Sequence, residues 1–187
     1  MLHDPVASKM PLGLVPPRLD EWPAAIRSAE LQRGTLVRCG PGVRLVSWPE
    51  TPRVRLTALA PWLGTELIAV LETAAWVWGA SSTPGRPMHL STQHRRRTRG
   101  EPPVGALVHQ FSYAPHAIVR YGPFEVTTPL RTVTDLLRLP EEFTHAHRVS
   151  CRLLFLSAEI ERSLVDGALA VGPPPHRRRA RARLSAL

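Results

Sequence analysis

The sequence predicts an α+β fold in which helices surround a small, mostly antiparallel sheet. The 187 residues include 20 prolines and 12 glycines, which favours several short elements joined by punctuated loops over a few long helices. Runs of alternating apolar residues lie in the second half of the chain, and runs of helical periodicity lie on both sides of them. A chain of this length can form one domain with a hydrophobic core or two small ones.

The composition excludes several classes of protein. Cys39 and Cys151 lie far apart and form no C-x-x-C pair, which argues against a disulfide framework and a zinc site. No basic start is followed by an apolar run and a small-residue cleavage site, and no apolar run is long enough to span a membrane. We therefore expect a cytoplasmic protein without a membrane partner.

The charge is the most informative property of the composition. The formal net charge is +9, and nearly all of the basic residues are arginines. A guanidinium group pairs bidentately with phosphate and with guanine edges, so nucleic acid is the first partner to consider. A GC-rich genome produces the same bias, so the positions of the arginines in the fold must decide between the two explanations.

The first part of the chain divides into an arm and a helix. Residues 1–17 contain several prolines and few periodic apolar positions, which predicts a flexible arm. A short amphipathic helix follows, with Asp20 as its candidate N-cap, Pro23 early in the helix and Gly34 as its stop.

A hairpin is predicted after this helix. Two strand-like runs, 35–38 and 43–46, flank a turn whose glycines suit a tight reversal. Helix and hairpin together predict a reduced winged-helix-like DNA-binding unit at residues 18–52, whose helix enters a groove and whose hairpin touches phosphate. The candidate contacts are Arg27 and Arg33 on the helix and Arg38 and Arg44 on the hairpin. A generic helix and hairpin with solvated arginines fits the same spacing.

Residues 53–172 are predicted to form an α+β domain. Residues 53–63 are predicted to form a helix or helical turn. A second helix is predicted to open at Gly64 and Thr65 and to carry a broad apolar stripe as far as Trp78. Trp76 and Trp78 are predicted to lie in the core, because aromatic residues on an alanine-rich helix are more often buried than free to stack on bases.

Four strands are predicted next, at residues 88–92, 104–111, 117–121 and 124–126. The first two are joined by a basic loop that contains Arg95, Arg96, Arg97 and Arg99. Four arginines held together need counterions or a partner, so the loop is a candidate phosphate-binding surface, although a solvated charge run is the alternative.

The last part of the chain is predicted to be helical and to end in a tail. Thr128 before Pro129 is an N-cap followed by proline at the first helical position, and Arg131 and Asp135 make an i,i+4 pair on that helix. Two further helices are predicted at 141–156 and 158–169. Residues 173–187 are predicted to form a basic tail, whose Arg177, Arg178 and Arg179 add sequence-independent attraction to DNA.

No residue pattern indicates an enzyme. The sequence lacks the G-x-S-x-G, H-E-x-x-H, Walker and Rossmann patterns. His147 and Cys151 are four residues apart and could share a metal, but no second pair supports such a site. We therefore predict no catalytic residue, no metal and no cofactor.

Three segments resemble a known family. They are the helix that ends in Trp78-Gly79, the strand at residues 87–92 with its basic loop, and above all the string T-T-P-L-R-T-V-T-D-L-L at residues 127–137. In this order, after a winged-helix-like start, they resemble the AbiEi-type antitoxins of bacterial type IV toxin–antitoxin systems over about residues 20–170. The chain resembles a short form, without the nuclease-like C-terminal domain of longer proteins.

The resemblance implies a double-stranded DNA partner and a protein partner. The DNA is the protein's own promoter, which the N-terminal unit represses, and the second partner is a cognate toxin of the nucleotidyltransferase type. The main alternative is a protein-interaction module whose basic surfaces engage an acidic partner without sequence-specific DNA binding. An RNA-associated or nuclease-derived remnant is a third reading.

Overall fold

The computed structural model describes residues 15–92, 101–170 and 176–187. Most of the predicted arm and the whole arginine loop with Arg95, Arg96, Arg97 and Arg99 lie outside the described residues. The elements in chain order are α1 (Ala24–Arg33), β1 (Leu36–Cys39), β2 (Gly42–Leu45), α2 (Pro52–Ala58), α3 (Ala60–Leu63), β3 (Leu67–Ala69), α4 (Leu71–Val77), β4 (Met88–Thr92), β5 (Ala106–His109), β6 (Ile118–Tyr121), β7 (Phe124–Thr127), α5 (Pro129–Arg138), α6 (His145–Ser157), α7 (Arg162–Ala170) and α8 (Arg177–Ser185). The predicted α+β class is confirmed.

The N-terminal helix begins later than predicted. Asp20 lies in a 3₁₀ turn, Leu19–Glu21, and α1 starts at Ala24 after Pro23, without a side-chain cap. The carboxylate of Asp20 instead accepts two hydrogen bonds from the guanidinium of Arg18, at 2.9 and 2.7 Å. A nearby arginine offers a carboxylate a charge-assisted bidentate partner, so it competes with the helix end for this side chain.

The predicted hairpin is present and lies against the helices that follow. β1 and β2 pair antiparallel with Cys39 opposite Gly42, which leaves a two-residue turn. A Cβ atom at Gly40 would lie 2.7 Å from the ring of Trp76, and one at Gly42 would meet the backbone carbonyl of Ala58. Both glycines are therefore required by close approach, and they fix the hairpin on α2 and α4.

The main sheet has the order β5-β4-β3-β7-β6. β3 pairs antiparallel with β4 and β6 with β7, whereas β3 with β7 and β4 with β5 are parallel. The prediction of a mostly antiparallel sheet is therefore wrong for the described strands, since half of the pairings are parallel. Alternation of apolar residues shows that a segment is a strand but does not show which strand lies beside it.

The helix predicted from Gly64 to Trp78 is a strand followed by a shorter helix. All three residues of β3 are buried, and their side chains alternate between two core clusters: Ile68 lies in one, Leu67 and Ala69 in the other. A strand that is buried on both faces reads as a continuous apolar run, which periodicity alone does not separate from a buried helix. Trp76 on α4 is 1% exposed, as predicted for a core residue.

The predicted start of α5 is confirmed. The hydroxyl of Thr128 accepts a hydrogen bond from the backbone N–H of Arg131, and Pro129 occupies the first turn. Six residues of this helix are buried, including Val133, Leu136 and Leu137. α5 thus forms the centre of the cluster into which α6, α7 and α8 also insert apolar side chains.

The predicted basic tail contains a helix that belongs to the core. Ala180 and Leu184, one turn apart on α8, are 0% and 7% exposed. Arg183 donates hydrogen bonds to the carbonyls of Leu137, Leu139 and Glu141, at 3.0, 2.7 and 2.7 Å. The end of α5 leaves carbonyl groups without a helical partner, and the arginines of α8 satisfy them. The prediction of a tail rests on the arginines alone and does not consider the apolar pair Ala180 and Leu184.

Candidate nucleic-acid interface

α1 differs from the other long helices in its burial. None of its residues is buried, and Ile26 is 48% exposed. The helix is closed by Gly34, and it contacts β1 through residues near its end. A helix that contributes no buried side chain leaves most of its surface open for a partner.

The two predicted groove residues of α1 occupy different environments. Arg27 is half-buried and donates from Nη1 to the carbonyl of Asp20 at 3.2 Å. Arg33 is exposed and forms an ion pair with Glu30, three residues earlier on the same helix. A hydrogen bond from the hydroxyl of Thr35 holds the pKa of Glu30 below its ordinary value. The guanidinium of Arg33 lowers this pKa further by a smaller amount. Arg33 therefore has its charge partly neutralised by a carboxylate on its own helix, whereas Arg27 donates to the carbonyl of Asp20 and contributes a small charge interaction with the Asp20 carboxylate.

The hairpin register separates the two predicted wing residues. Arg38 lies opposite Val43 and Arg44 lies opposite Val37, on the next rung. Side chains of successive rungs point to opposite faces of a strand pair. Arg38 and Arg44 therefore cannot both contact one ligand from the hairpin.

Arg44 is held by the backbone of its own segment, and its role as a wing contact stays a prediction. Its Nη1 donates to the carbonyls of Leu45, Val46 and Trp48, at 3.1, 3.5 and 2.7 Å. A half-buried guanidinium that satisfies backbone carbonyls stabilises the segment after β2. Arg38, in contrast, is exposed and has no hydrogen bond or ion pair with the described residues.

An open cleft lies between α1, the hairpin, α2 and α3. Its volume is about 540 Å³, in the range of ligand-binding clefts. Its polar lining includes Asp20, Arg27, Ser28, Arg38 and Thr57, and Trp62 also lines it. We call it the α1–hairpin cleft. It brings together one predicted helix residue, Arg27, and one predicted hairpin residue, Arg38.

The electrostatics of the α1–hairpin cleft are cationic. The carboxylate of Asp20 is engaged by Arg18, and this hydrogen bond, opposed in part by burial, holds the pKa of Asp20 below its ordinary value. Arg18 therefore offsets Asp20, the one acidic side chain among the described residues of the lining, and Arg27 and Arg38 remain as positive charges from two separate elements. Such an arrangement attracts an anion that is long enough to contact both.

The predicted arginines of the basic tail do not line the cleft. The arginines at 95–97 and 99 fall outside the described residues. Arg177, Arg178 and Arg179 lie on α8, which packs on α5. Arg179 donates to the carbonyls of Leu139 and Pro140, at 3.4 and 2.9 Å, so its role is partly structural. Arg178 is exposed.

Sequence reasoning did not place Asp20, Ser28 or Trp62 at this cleft. The sequence predicts Asp20 as a helix cap and gives Ser28 and Trp62 no functional role. Trp62 is placed by the hydrogen bond from its indole N–H to the carbonyl of Val104, at 3.1 Å. This contact spans distant parts of the chain, so no local spacing signals it.

His147 and Cys151, whose spacing would let them share a metal, have different surroundings. Nε2 of His147 lies 2.7 Å from Oε1 of Glu72, while Cys151 is fully buried and burial raises its thiol pKa to about 12. Within the described part of the chain, no group of three or more histidines, cysteines or acidic residues is arranged to hold a metal ion.

Comparison with protein-family models, with curated proteins and with solved structures finds no match. The resemblance to AbiEi-type antitoxins therefore stays a prediction. Among the described residues, no helix combines the length and the apolar character needed to cross a membrane.

Proposed function

We propose that this protein is a DNA-binding, antitoxin-like transcriptional autoregulator that also neutralises a cognate toxin of the nucleotidyltransferase type. The observation that carries the DNA-binding half is the α1–hairpin cleft, in which Arg27 and Arg38 lie on two different elements and line one open surface. The resemblance of the string at residues 127–137 adds the regulatory role and the toxin.

The arrangement suits a duplex in a specific way. If α1 enters the major groove and the hairpin approaches the neighbouring minor groove, the sugar–phosphate strand between the grooves passes between helix and hairpin. Arg27 and Arg38 would then contact phosphates of that strand from its two sides. Such contacts fix register and orientation, and the exposed residues of α1 would read base edges.

The energetics of this interface depend on salt. Each phosphate contact that releases a counterion contributes about 0.9 to the slope of log affinity against log salt concentration. Cationic contacts alone bind all sequences equally, so specific recognition requires groups on α1 that meet the bases.

The test is fluorescence anisotropy with two duplexes of equal length, one from upstream of the protein's own gene and one scrambled, over a salt series. We expect the native duplex to bind about a hundredfold more tightly at physiological salt. Equal binding that disappears for both duplexes as salt rises would contradict a specific repressor. It would favour a module that engages an acidic protein partner.

The toxin-neutralising half has its own test. The protein is co-expressed with the product of the gene beside its own, and growth and co-purification are measured. Restored growth would support the proposed antitoxin role, and co-purification would add evidence for a direct complex. If growth stays inhibited although both proteins are present, this half of the proposal is wrong and the DNA-binding half is unaffected.

A further inference from the structure

One carboxylate and three imidazole rings form a contact chain through four elements. Glu72 lies on α4, His89 on β4, His109 on β5 and His147 on α6. Oε1 of Glu72 is 2.7 Å from Nε2 of His147, and its Oε2 is 3.4 Å from Nε2 of His89. Nδ1 of His89 is in turn 2.9 Å from Nε2 of His109. Polar contacts thus run from the first turn of α6 to β5.

We propose that these four residues, here called the acid–imidazole clasp, are a proton-sensitive device that holds the first turn of α6 against α4 and the sheet and loosens it on acidification. The proposal does not depend on the proposed DNA binding, because none of the four residues lines the α1–hairpin cleft.

The hydrogen bonds define the protonation of His147. The backbone N–H of Thr144 donates to Nδ1 of His147 at 3.1 Å, so Nδ1 carries no proton. Nε2 must then carry the ring proton and donate it to Glu72. The hydroxyl of Thr144 accepts from the backbone N–H of His147, which completes a capping box with histidine in the position usually held by glutamate or glutamine.

A proton added to His147 would break this cap. The proton would have to bind at Nδ1, because Nε2 already carries one. Nδ1 could then no longer accept the hydrogen bond from the N–H of Thr144. The new positive charge would also lie at a helix N-terminus, where the helix dipole disfavours cations. The first turn of α6 has no acidic residue of its own, so the carboxylate of Glu72 from α4 is the negative charge that faces it.

His89 and His109 lie close enough for charge on one ring to disfavour charge on the other. A charged His89 would carry one proton on Nε2, facing the carboxylate of Glu72, and one on Nδ1, which would donate to the lone pair on Nε2 of His109. A second proton on His109 would remove that acceptor and place two cations beside each other, in rings whose planes are 12° apart with centroids 5.1 Å apart. The clasp therefore disfavours a proton on His109 when His89 is charged.

At the β5 end of the clasp, away from α6, the direction of the pH effect follows from His109 and Glu72. Burial, with a further contribution from His89, lowers the pKa of His109 below its ordinary value of 6.5, against opposing contributions from Glu72 and Glu141. The folded state favours neutral His109, so this stabilisation is present above pH 6.5 and is lost as the pH falls below it. Burial raises the pKa of Glu72, but His147 and His89 outweigh it and leave the pKa below 4.5. Glu72 therefore stays charged in the window where His109 titrates.

The experiment compares the wild type with His147→Gln by amide hydrogen exchange and thermal melting between about pH 7.5 and 5.5. Glutamine keeps the capping box and can donate to Glu72, but it does not titrate. We expect protection of the α6 amides in the wild type to fall about tenfold more than in the variant. Equal losses in the two proteins would overturn the proposal.

A control and a second measurement keep the result interpretable. His145 is exposed on the same turn, so His145→Gln should follow the wild type. If His145→Gln also removes the pH dependence, the clasp is not its source. In the wild type, ring nitrogen chemical shifts should show His147 at neutral pH with its proton on Nε2, and a proton on Nδ1 would contradict the proposal whether or not the variant folds.

Discussion

Two helices of the same length, α1 and α5, use their arginines in opposite ways. Each has 10 residues, but α5 buries six of them and α1 buries none. On α5, Arg131 pairs with Asp135 at 2.7 Å and Arg138 donates to the carbonyl of Ala168 at 3.1 Å. On α1, Arg33 pairs with Glu30 on the exposed surface of its own helix, and Arg27 donates to a single carbonyl while it lines the open cleft. An arginine beside unpaired carbonyls or a buried carboxylate stabilises the fold, and an arginine on an exposed helix is available to a partner.

The largest expected effect is at the buried pair of α5. The side chain of Asp135 is 9% exposed, burial raises its pKa, and Arg131 opposes that rise. Asp135→Ala leaves the guanidinium without its carboxylate and should lower the free energy of unfolding by about 3 kcal/mol, measured by denaturant titration. Asp166→Ala, which breaks the exposed pair with Arg181, is the matched control and should cost little. Equal losses of unfolding free energy in the two variants would contradict the distinction between arginines that stabilise the fold and arginines that are exposed.

The next effect concerns α8, which the sequence predicted as a tail. Leu184→Ala deletes a side chain that is 7% exposed and should cost about 2–3 kcal/mol of unfolding free energy. Leu156→Ala on α6, at a position that is 76% exposed, is the control and should change it by less than about 0.5 kcal/mol. A Leu184→Ala protein as stable as the wild type would show that α8 does not belong to the core in solution.

A smaller effect is expected on DNA binding when the two arginines of α1 are compared. Arg27→Ala removes a cation from the α1–hairpin cleft and should weaken binding to the native duplex about tenfold. Arg33→Ala should weaken it less, because Glu30 already offsets its charge. Anisotropy at one salt concentration measures both, with melting temperature as the check on folding. A larger loss for Arg33 would place the DNA on the outer face of α1 instead of at the cleft.

Local signals predicted the elements whose ends are set by neighbouring residues. Thr128 and Pro129 start α5 through a cap and a fixed backbone angle, and both are readable without tertiary structure. The helix predicted over β3 is wrong, because a strand that is buried on both faces does not alternate apolar and polar residues. The sequence predicts α8 as a tail, because its arginines satisfy carbonyls at the end of α5. That helix lies about 40 residues earlier in the chain, so no local pattern shows the contact.

The interface was predicted in part for a similar reason. Helix and hairpin follow from local patterns, but the role of each arginine depends on strand register. Arg38 and Arg44 lie on opposite faces because Arg38 pairs with Val43 and Arg44 pairs with Val37, a strand register that the spacing of the arginines alone does not fix. The hydrogen bonds of Arg44 to three carbonyls could not be predicted from spacing at all.

The most direct test of this account is the comparison of Arg38→Ala with Arg44→Ala, two substitutions in one hairpin, by anisotropy with the native duplex over a salt series. Arg38→Ala should weaken binding and reduce the salt slope by about 0.9, without a change in melting temperature. Arg44→Ala should lower the melting temperature and, while folded, keep the wild-type slope. Unchanged affinity in Arg38→Ala, or the same loss of slope in both variants, would contradict binding of DNA at the α1–hairpin cleft.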